Sequence, residues 1–290
     1  MKGPAPMPDA SLSTFLARPA PAILVEIEAV KGSSPREAGT FMLVSQADLW
    51  ETIGGGQFEY MAIDHARAML RTGAAEDRMD IPLGPEIGQC CGGRTLIRFR
   101  RITAEIAAGL EARLKGETEQ QPAVFIFGTG HVGKALADAL SLLPLTLTVV
   151  EPRESELHDL PSVVASILTP MPEAFVPKIP ANGAAIIVTH DHALDFLIAK
   201  EALARDDLAY VGMIGSKTKR ATFAHWLERE GEPPSRLAKL TLPIGGTSVR
   251  DKRPAVIAAL VAAELLQAFS AAETRHSENR HGHPQGQDRA

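Results

Sequence analysis

The amino-acid sequence predicts an α/β protein with two domains. A small mixed α/β domain is expected over residues 1–108, and a doubly wound parallel sheet over residues 122–270. Two observations predict this. Beyond residue 122, short apolar runs alternate with helical periods, the pattern of a parallel sheet. Before residue 108 the runs have the period of two that marks half-buried strands, grouped around one helix. The length agrees, since 290 residues at ~100–200 per domain leave room for two domains. Residues 109–121 are charged and polar and read as a linker that begins with the end of a helix. Residues 271–290 are polar, hold three of the nine histidines and lack apolar periodicity, so they read as a disordered tail.

Taken in order, residues 1–10 are rich in Pro and Ala and read as a loose end. Residues 22–30 carry Glu26 and Glu28 at period two within an apolar run, a half-buried strand. Turn chemistry follows at Lys31-Gly32-Ser33-Ser34-Pro35-Arg36. Strands are expected at 40–44 and 49–53. A helix over 57–71 follows Gly54-Gly55-Gly56, with Phe58, Met61, Ala62, Ala66 and Met69 near helical spacing. A strand with alternating arginines is expected at 94–102. In the second domain, strands are expected at 123–127, 145–150, 162–168, 184–189, 209–214 and 240–243. Helices are expected at 131–143, 192–205, 217–230 and 254–269, the last with Pro254 suited to its first turn.

Composition excludes some functions. The chain is 45% hydrophobic and 22% charged, with net charge −5. A protein that tracks a nucleic-acid backbone needs surplus Lys and Arg, so nucleic acid is not the expected partner. No run reaches the ~18 apolar residues of a membrane span, and the first residues lack the apolar core of a signal peptide. The expectation is a cytoplasmic protein with no membrane partner. The two cysteines, Cys90 and Cys91, are adjacent. Neighbouring Cα atoms lie about 3.8 Å apart, under the usual disulfide range, and the spacing misses that of a zinc site.

Gly128-Thr129-Gly130-His131-Val132-Gly133 fits G-x-G-x-x-G between an expected strand and an expected helix. In that context Gly128 permits a tight turn, Gly130 admits a pyrophosphate to the backbone, and Gly133 lets helix and strand pack closely. The helix start offers free N–H groups and partial positive charge. Glu151 ends the second strand roughly 20 residues on, where an acid can bind a ribose hydroxyl. These features predict a Rossmann-like domain holding a phosphate-bearing ligand. The bland alternative is a glycine turn that only packs helix on sheet.

Three further clusters carry chemistry. Gly215-Ser216-Lys217-Thr218-Lys219-Arg220 opens a helix at the carboxyl edge of a strand. Ser216 suits the cap, and Lys217, Lys219 and Arg220 can grip an anion or simply face solvent. Thr189-His190-Asp191-His192 lies on the same edge, and capping through Asp191 is a simpler role than metal binding. Gly88-Gln89-Cys90-Cys91-Gly92-Gly93-Arg94 frames two thiols with glycine beside a positive charge. Thiols in such a loop become nucleophiles or soft-metal ligands, whereas buried free cysteines are inert.

With these motifs in view, the sequence resembles the XdhC/CoxI family, accessory proteins that mature molybdenum hydroxylases such as xanthine dehydrogenase. The likeness runs from about Val25 to Leu266. It rests on Gly32-Ser33-Ser34-Pro35-Arg36 with Gly39 and Met42, Ile53-Gly54-Gly55-Gly56 with Glu59, and Gly88-Gln89-Cys90-Cys91-Gly92-Gly93. It continues through Phe127 and the glycine loop, Glu151-Pro152-Arg153, Thr189-His190, Ile214-Gly215-Ser216-Lys217, Pro243-Ile244-Gly245, Pro254 and Ala263-Glu264-Leu265. The stretch Gly246-Thr247-Ser248-Val249-Arg250-Asp251-Lys252 departs from the pattern in a glycine-rich, charged form. The resemblance implies a carrier that binds the molybdenum cofactor (Mo-molybdopterin) during sulfuration by a cysteine desulfurase and hands it to apo xanthine dehydrogenase. It also implies a homodimer. The phosphate end would sit at residues Gly128 to Gly133 with Glu151, Arg153, Gly215, Ser216 and Lys217, and the metal end at Cys90 and Cys91. No catalytic residue is assigned. The competing reading is an NAD(P)-dependent oxidoreductase, with Glu151 or Arg153 at the ribose. Against it, neither Tyr60 nor Tyr210 has a Lys four residues later.

Overall fold

The computed structural model describes residues 11–85 and 92–281. The chain forms two compact units, Met1–Gly116 and Glu117–Ala290. In the first, α1 (Leu12–Leu16) precedes β1 (Ala22–Lys31), β2 (Phe41–Ser45) and β3 (Leu49–Trp50). Then come α2 (Gly56–Thr72), β4 (Glu76–Pro82), β5 (Arg94–Arg101) and α3 (Ala104–Glu119). The strands make one antiparallel sheet in the order β3-β2-β1-β5-β4. Ile23, Val25 and Ile27 of β1 pack with Phe58, Ala62, Ala66 and Met69 of α2. Leu24, on the opposite face, packs with Leu110 of α3 and with Leu12 and Phe15 of α1. Burial on both faces explains why β1 opens as a continuous apolar run rather than an alternation.

Three elements here escape the apolar pattern. The residues expected as a helix end and linker, 109–121, are almost wholly helix, because α3 starts at Ala104 and runs to Glu119. Ile106, Leu110 and Leu114 recur every four residues and join the α1 side of the sheet, a stripe diluted by charge between them. The five-residue α1 is not expected either; the Ser11 side chain caps it by accepting from Thr14 N. β4 escapes the pattern because it is charged. Its Glu76 and Asp80 accept from Arg98 and Arg94 of β5 at 2.8 and 2.7 Å, and its Arg78 reaches Glu28 of β1 at 2.8 Å. Such exposed cross-strand pairs are each worth under about 1 kcal/mol, but they let a polar segment sit on a solvated face.

The second unit contains β6 (Ala123–Phe127), α4 (His131–Leu140), β7 (Thr146–Glu151), β8 (Ala165–Leu168) and β9 (Ala184–Ile187). It continues with α5 (His192–Ala204), β10 (Tyr210–Met213), α6 (Lys217–Arg229), β11 (Leu240–Thr241) and α7 (Pro254–His281). The six strands are all parallel, in the order β11-β10-β9-β6-β7-β8. The α/β class and the Rossmann architecture expected from the alternation are what forms. From β6 the chain moves outward to β7 and β8, then returns to the other side of β6 as β9. That reversal creates the crevice in which open α/β sheets bind ligands. α4 and α7 cover one face and α5 and α6 the other. Between β7 and β9 no regular α-helix forms; two 3-10 segments, Glu154–Glu156 and Pro172–Lys178, flank β8 instead. Pro161, Pro170, Pro172, Pro177 and Pro180 leave no room for a regular helix there.

α7 reaches His281, beyond the expected end near residue 270 and into the stretch expected to be disordered. Its buried residues Ala258, Val261, Leu265, Phe269 and Ala272 keep helical spacing; the first four pack with Leu136, Ala137 and Leu140 of α4. Ala271 to Arg275 carry good helix formers, so the helix propagates past Phe269. The segment Pro254–Arg275 is also long and apolar enough to cross a membrane by length and composition, with mean hydropathy 1.9. Alanine is its commonest residue, and the helix lays one stripe, Ala258, Val261, Leu265 and Phe269, on the Rossmann core.

Candidate functional site

The glycine loop sits at its expected place, between the end of β6 and the start of α4. Its three glycines do different work. Gly128 has φ +105°, and a Cβ there would come within 2.7 Å of the Val188 carbonyl oxygen. A Cβ on Gly133 would come within 2.1 Å of the Gly128 carbonyl oxygen. Both glycines are needed for packing. A Cβ on Gly130 would meet nothing within 4 Å. Gly130 is the N-cap of α4, and no side chain caps that helix. The helix start is therefore open above Gly130, with its N–H dipoles directed outward. His131 is exposed beside it, and Val132 is half-buried against the α4–α7 core.

Glu151 has a different role from the ribose ligand its position suggests. It is fully buried. One carboxylate oxygen accepts from Thr129 N at 2.8 Å and from Thr129 Oγ1 at 2.7 Å. The other accepts from Arg153 Nε at 2.7 Å and from the Arg153 backbone N–H at 3.2 Å. Burial pushes the carboxyl up, but the hydrogen bonds from Arg153 and Thr129 outweigh it and hold Glu151 below the ordinary carboxylate range. The acid ties the glycine loop to the end of β7, and a ribose hydroxyl would have to displace one of these donors.

A second arrangement of the same kind lies across the crevice, after β9. Asp195, fully buried on α5, accepts from Thr189 N at 3.1 Å and from Thr189 Oγ1 at 2.7 Å. Its other oxygen takes the buried Lys219 ammonium, which also donates to the Ile214 carbonyl oxygen at 3.0 Å. Each of the two loops facing the switch point is thus pinned through a threonine to a buried, cation-paired carboxylate. The Asp195–Lys219 pairing is not among the expected contacts. Its trace in the sequence is a lone acid between Leu194 and Phe196 in an otherwise apolar stretch of α5.

The basic cluster at α6 is corrected by these contacts. Of the three cations expected to grip an anion, Lys219 is consumed by Asp195. Arg220 donates to the carbonyl oxygens of Leu237, Leu240 and Leu242 at 3.0 to 3.4 Å. Lys217 is the exposed one. Ser216 caps α6 through Lys219 N at 3.2 Å, as its type suggests. Gly215 makes room for the buried lysine, since a Cβ there would come within 2.7 Å of Lys219 Cδ. Asp191 caps α5 through Ala193 N at 2.7 Å, and His190 and His192 are exposed beside it.

In the first unit the glycine-bearing motifs pack on one another. A Cβ on Gly54 would come within 3.1 Å of Pro35 Cγ, and one on Gly93 within 2.0 Å of the Ser33 carbonyl oxygen. Ser33 and Gly92 form a bridge. Glu59 accepts from Ile53 N at 3.0 Å and Gly55 N at 3.1 Å, and from Thr52 Oγ1, fixing the glycine turn before α2. Cys90 and Cys91, the expected metal ligands, lie outside the described residues.

Comparison with known proteins follows the same division. Residues 124–265 match a family model described as the XdhC Rossmann domain. Residues 15–81 match one described as the XdhC and CoxI family. A xanthine dehydrogenase from Bacillus halodurans has a similar fold, with TM-score 0.74, 19% identity, and coverage of 90% of this chain and 95% of that one. An imine reductase from Bacillus cereus is far less similar, with TM-score 0.31, 17% identity, and coverage of 56% of this chain and 67% of that one. The uncharacterised protein YqeB of Escherichia coli K12 is 24% identical over 264 residues, 85% of this chain. The chain spans 43% of the length of YqeB. Two models of one family match successive stretches that together make up most of the sequence, one in each unit. The chain belongs to the XdhC/CoxI family.

Proposed function

We propose that this protein is a maturation factor and not itself an enzyme. In this reading it holds the molybdenum cofactor (Mo-molybdopterin) while a cysteine desulfurase sulfurates it, then delivers it to apo xanthine dehydrogenase. It acts as a homodimer in the cytoplasm. The observation that carries the reading, beside the family, is the open helix start at Gly130, where a Cβ would meet nothing within 4 Å. A phosphate needs that kind of cradle, in which backbone N–H groups and the helix dipole are reachable. The residues present fit the phosphate end of a pterin cofactor. Gly130, His131 and Lys217 would hold it, and the Thr129–Glu151 and Thr189–Asp195 pairs would keep the loops in place. Cys90 and Cys91 supply the soft donors that suit molybdenum, and either thiolate can carry transferred sulfur. When bound, the cofactor brings the metal and dithiolene chemistry that the recipient dehydrogenase uses. An NAD(P)-dependent oxidoreductase is less well supported, because Glu151 is already engaged by Thr129 and Arg153.

The test is purification from molybdenum-replete cells, with metal, oxidised-pterin fluorescence and nicotinamide measured on the same sample. Near-stoichiometric pterin and molybdenum are expected. Replacing both Cys90 and Cys91 with Ala should lower molybdenum retention and reconstitution of an apo-hydroxylase while sparing pterin binding. Bound nicotinamide without pterin would overturn the reading. Unimpaired retention and reconstitution in the double variant would remove the cysteines from it.

A further inference from the structure

Four sheet edges are exposed among the described residues, and three are guarded. β3 and β11 are two residues long. β4 carries Glu76, Asp77, Arg78 and Asp80 and ends at Pro82. Short length, charge and proline are the devices that stop an edge from pairing with another chain. β8 (Ala165–Leu168), the outer strand of the parallel sheet, is four residues long and carries neither charge nor proline within it; Pro161, Pro170 and Pro172 lie beyond its ends. Residues 161–172 contain no charged side chain. Val163, Leu168 and Met171 are 71%, 50% and 57% exposed.

The free backbone groups on this edge can be assigned. Among the described residues β8 pairs only with β7, and Glu151 lies opposite Leu168. Thr169 N donates to the Glu151 carbonyl oxygen at 3.1 Å. Direction alternates along a strand, so Ile167 and Thr169 turn their N–H and C=O toward β7. Ser166 and Leu168 then turn theirs outward, with no strand beyond them among the described residues.

We infer that β8 is a self-pairing edge, through which two copies of this chain join their parallel sheets antiparallel across a two-fold axis. The occupant follows from the strand's own properties. A two-fold pairs each residue with a counterpart in both directions. Centred on Ile167, it sets Ser166 against Leu168 of the second copy and Leu168 against Ser166. Both outward residues then exchange N–H and C=O bonds in full. Such self-pairing is disfavoured where it stacks like charges, and this edge has none. The inference gives the proposed homodimer a contact and does not depend on the cofactor.

The test uses the full chain and two variants. Ser166→Pro deletes an outward N–H and leaves the β7 ladder intact. Leu168→Lys brings two positive charges to the two-fold. Sedimentation over a concentration series should show a dimer for the parent, weakened roughly 30-fold or more in each variant, since every substitution acts twice. Thermal unfolding of the diluted variants should match that of the diluted parent. Hydrogen exchange at the Ser166 and Leu168 amides should slow as parent concentration rises, while Ile167 and Thr169 stay protected throughout. A parent that is monomeric at all concentrations overturns the inference. So does a dimer indifferent to both variants, or an edge that pairs only with a different protein. If Ser166→Pro fails to fold, Leu168→Lys and the exchange data decide. Molybdenum and pterin retained by a monomeric variant would leave the carrier function standing apart from the dimer contact.

Discussion

Glu151→Gln is the sharpest probe of how the glycine loop is held. The carboxylate receives donors on both oxygens: Thr129 N and Oγ1 on one, Arg153 Nε and N on the other. A carboxamide offers one acceptor oxygen and one NH2. Whichever way it turns, its NH2 faces at least one N–H that cannot rotate away. Arg153 is 36% exposed, so solvent replaces much of its share. The Thr129 side is buried and carries most of the cost. Two charge-assisted hydrogen bonds to a buried carboxylate, one lost outright and one weakened, come to about 3 kcal/mol. For a unit of this size that lowers the melting temperature by about 6–12 °C. The pH dependence has a definite sign. Glu151 is held below its ordinary value of 4.5, so its contribution is complete above that pH and is lost as pH falls through the depressed value. The gap between parent and variant should be widest near neutrality and should close in acid, where the parent's own carboxyl is protonated. Calorimetry of both proteins between pH 7 and pH 3 measures it. A variant within about 1 kcal/mol of the parent at neutrality, or a gap that widens on acidification, would refute the reasoning.

The three loop glycines should separate by outcome. Gly130→Val should leave the melting temperature nearly unchanged but weaken pterin-phosphate binding, read by fluorescence titration, because its side chain occupies the open cradle. Gly133→Ala should instead unfold the domain, since its Cβ would lie 2.1 Å from the Gly128 carbonyl oxygen. Lys219→Met should cost about 3–5 kcal/mol in urea unfolding by leaving Asp195 buried without its cation. The added substitution Asp195→Asn should recover part of that loss. Deleting residues from His276 onward should not move the melting temperature, because the contact of α7 with the core is made by Ala258, Val261, Leu265 and Phe269, all retained.

Much of this architecture is legible in the amino-acid sequence, because it is set by local chemistry. Alternating apolar runs announce buried strands, and the spacing of Gly128, Gly130 and Gly133 announces a strand-to-helix turn, since only a residue without Cβ fits there. Capping at Asp191 and Ser216 depends on neighbours two or three positions away, so it too can be read from the chain. β4 and the full length of α3 cannot, because their stability comes from partners far off: Arg98 for Glu76, and Leu24 for Leu110. The site divides in the same way. Sequence places Glu151 at the right edge of the sheet but suggests a ribose contact. Only the fold shows that Thr129 and Arg153 already occupy it. Lys219 and Arg220 look like anion grips as residue types. Tertiary structure buries one on Asp195, 24 residues away, and turns the other to three carbonyl oxygens. The physical reason is one of range. A backbone conformation or a helix cap is decided within a few residues, whereas the partner of a charged side chain is decided by which loops the sheet order brings together.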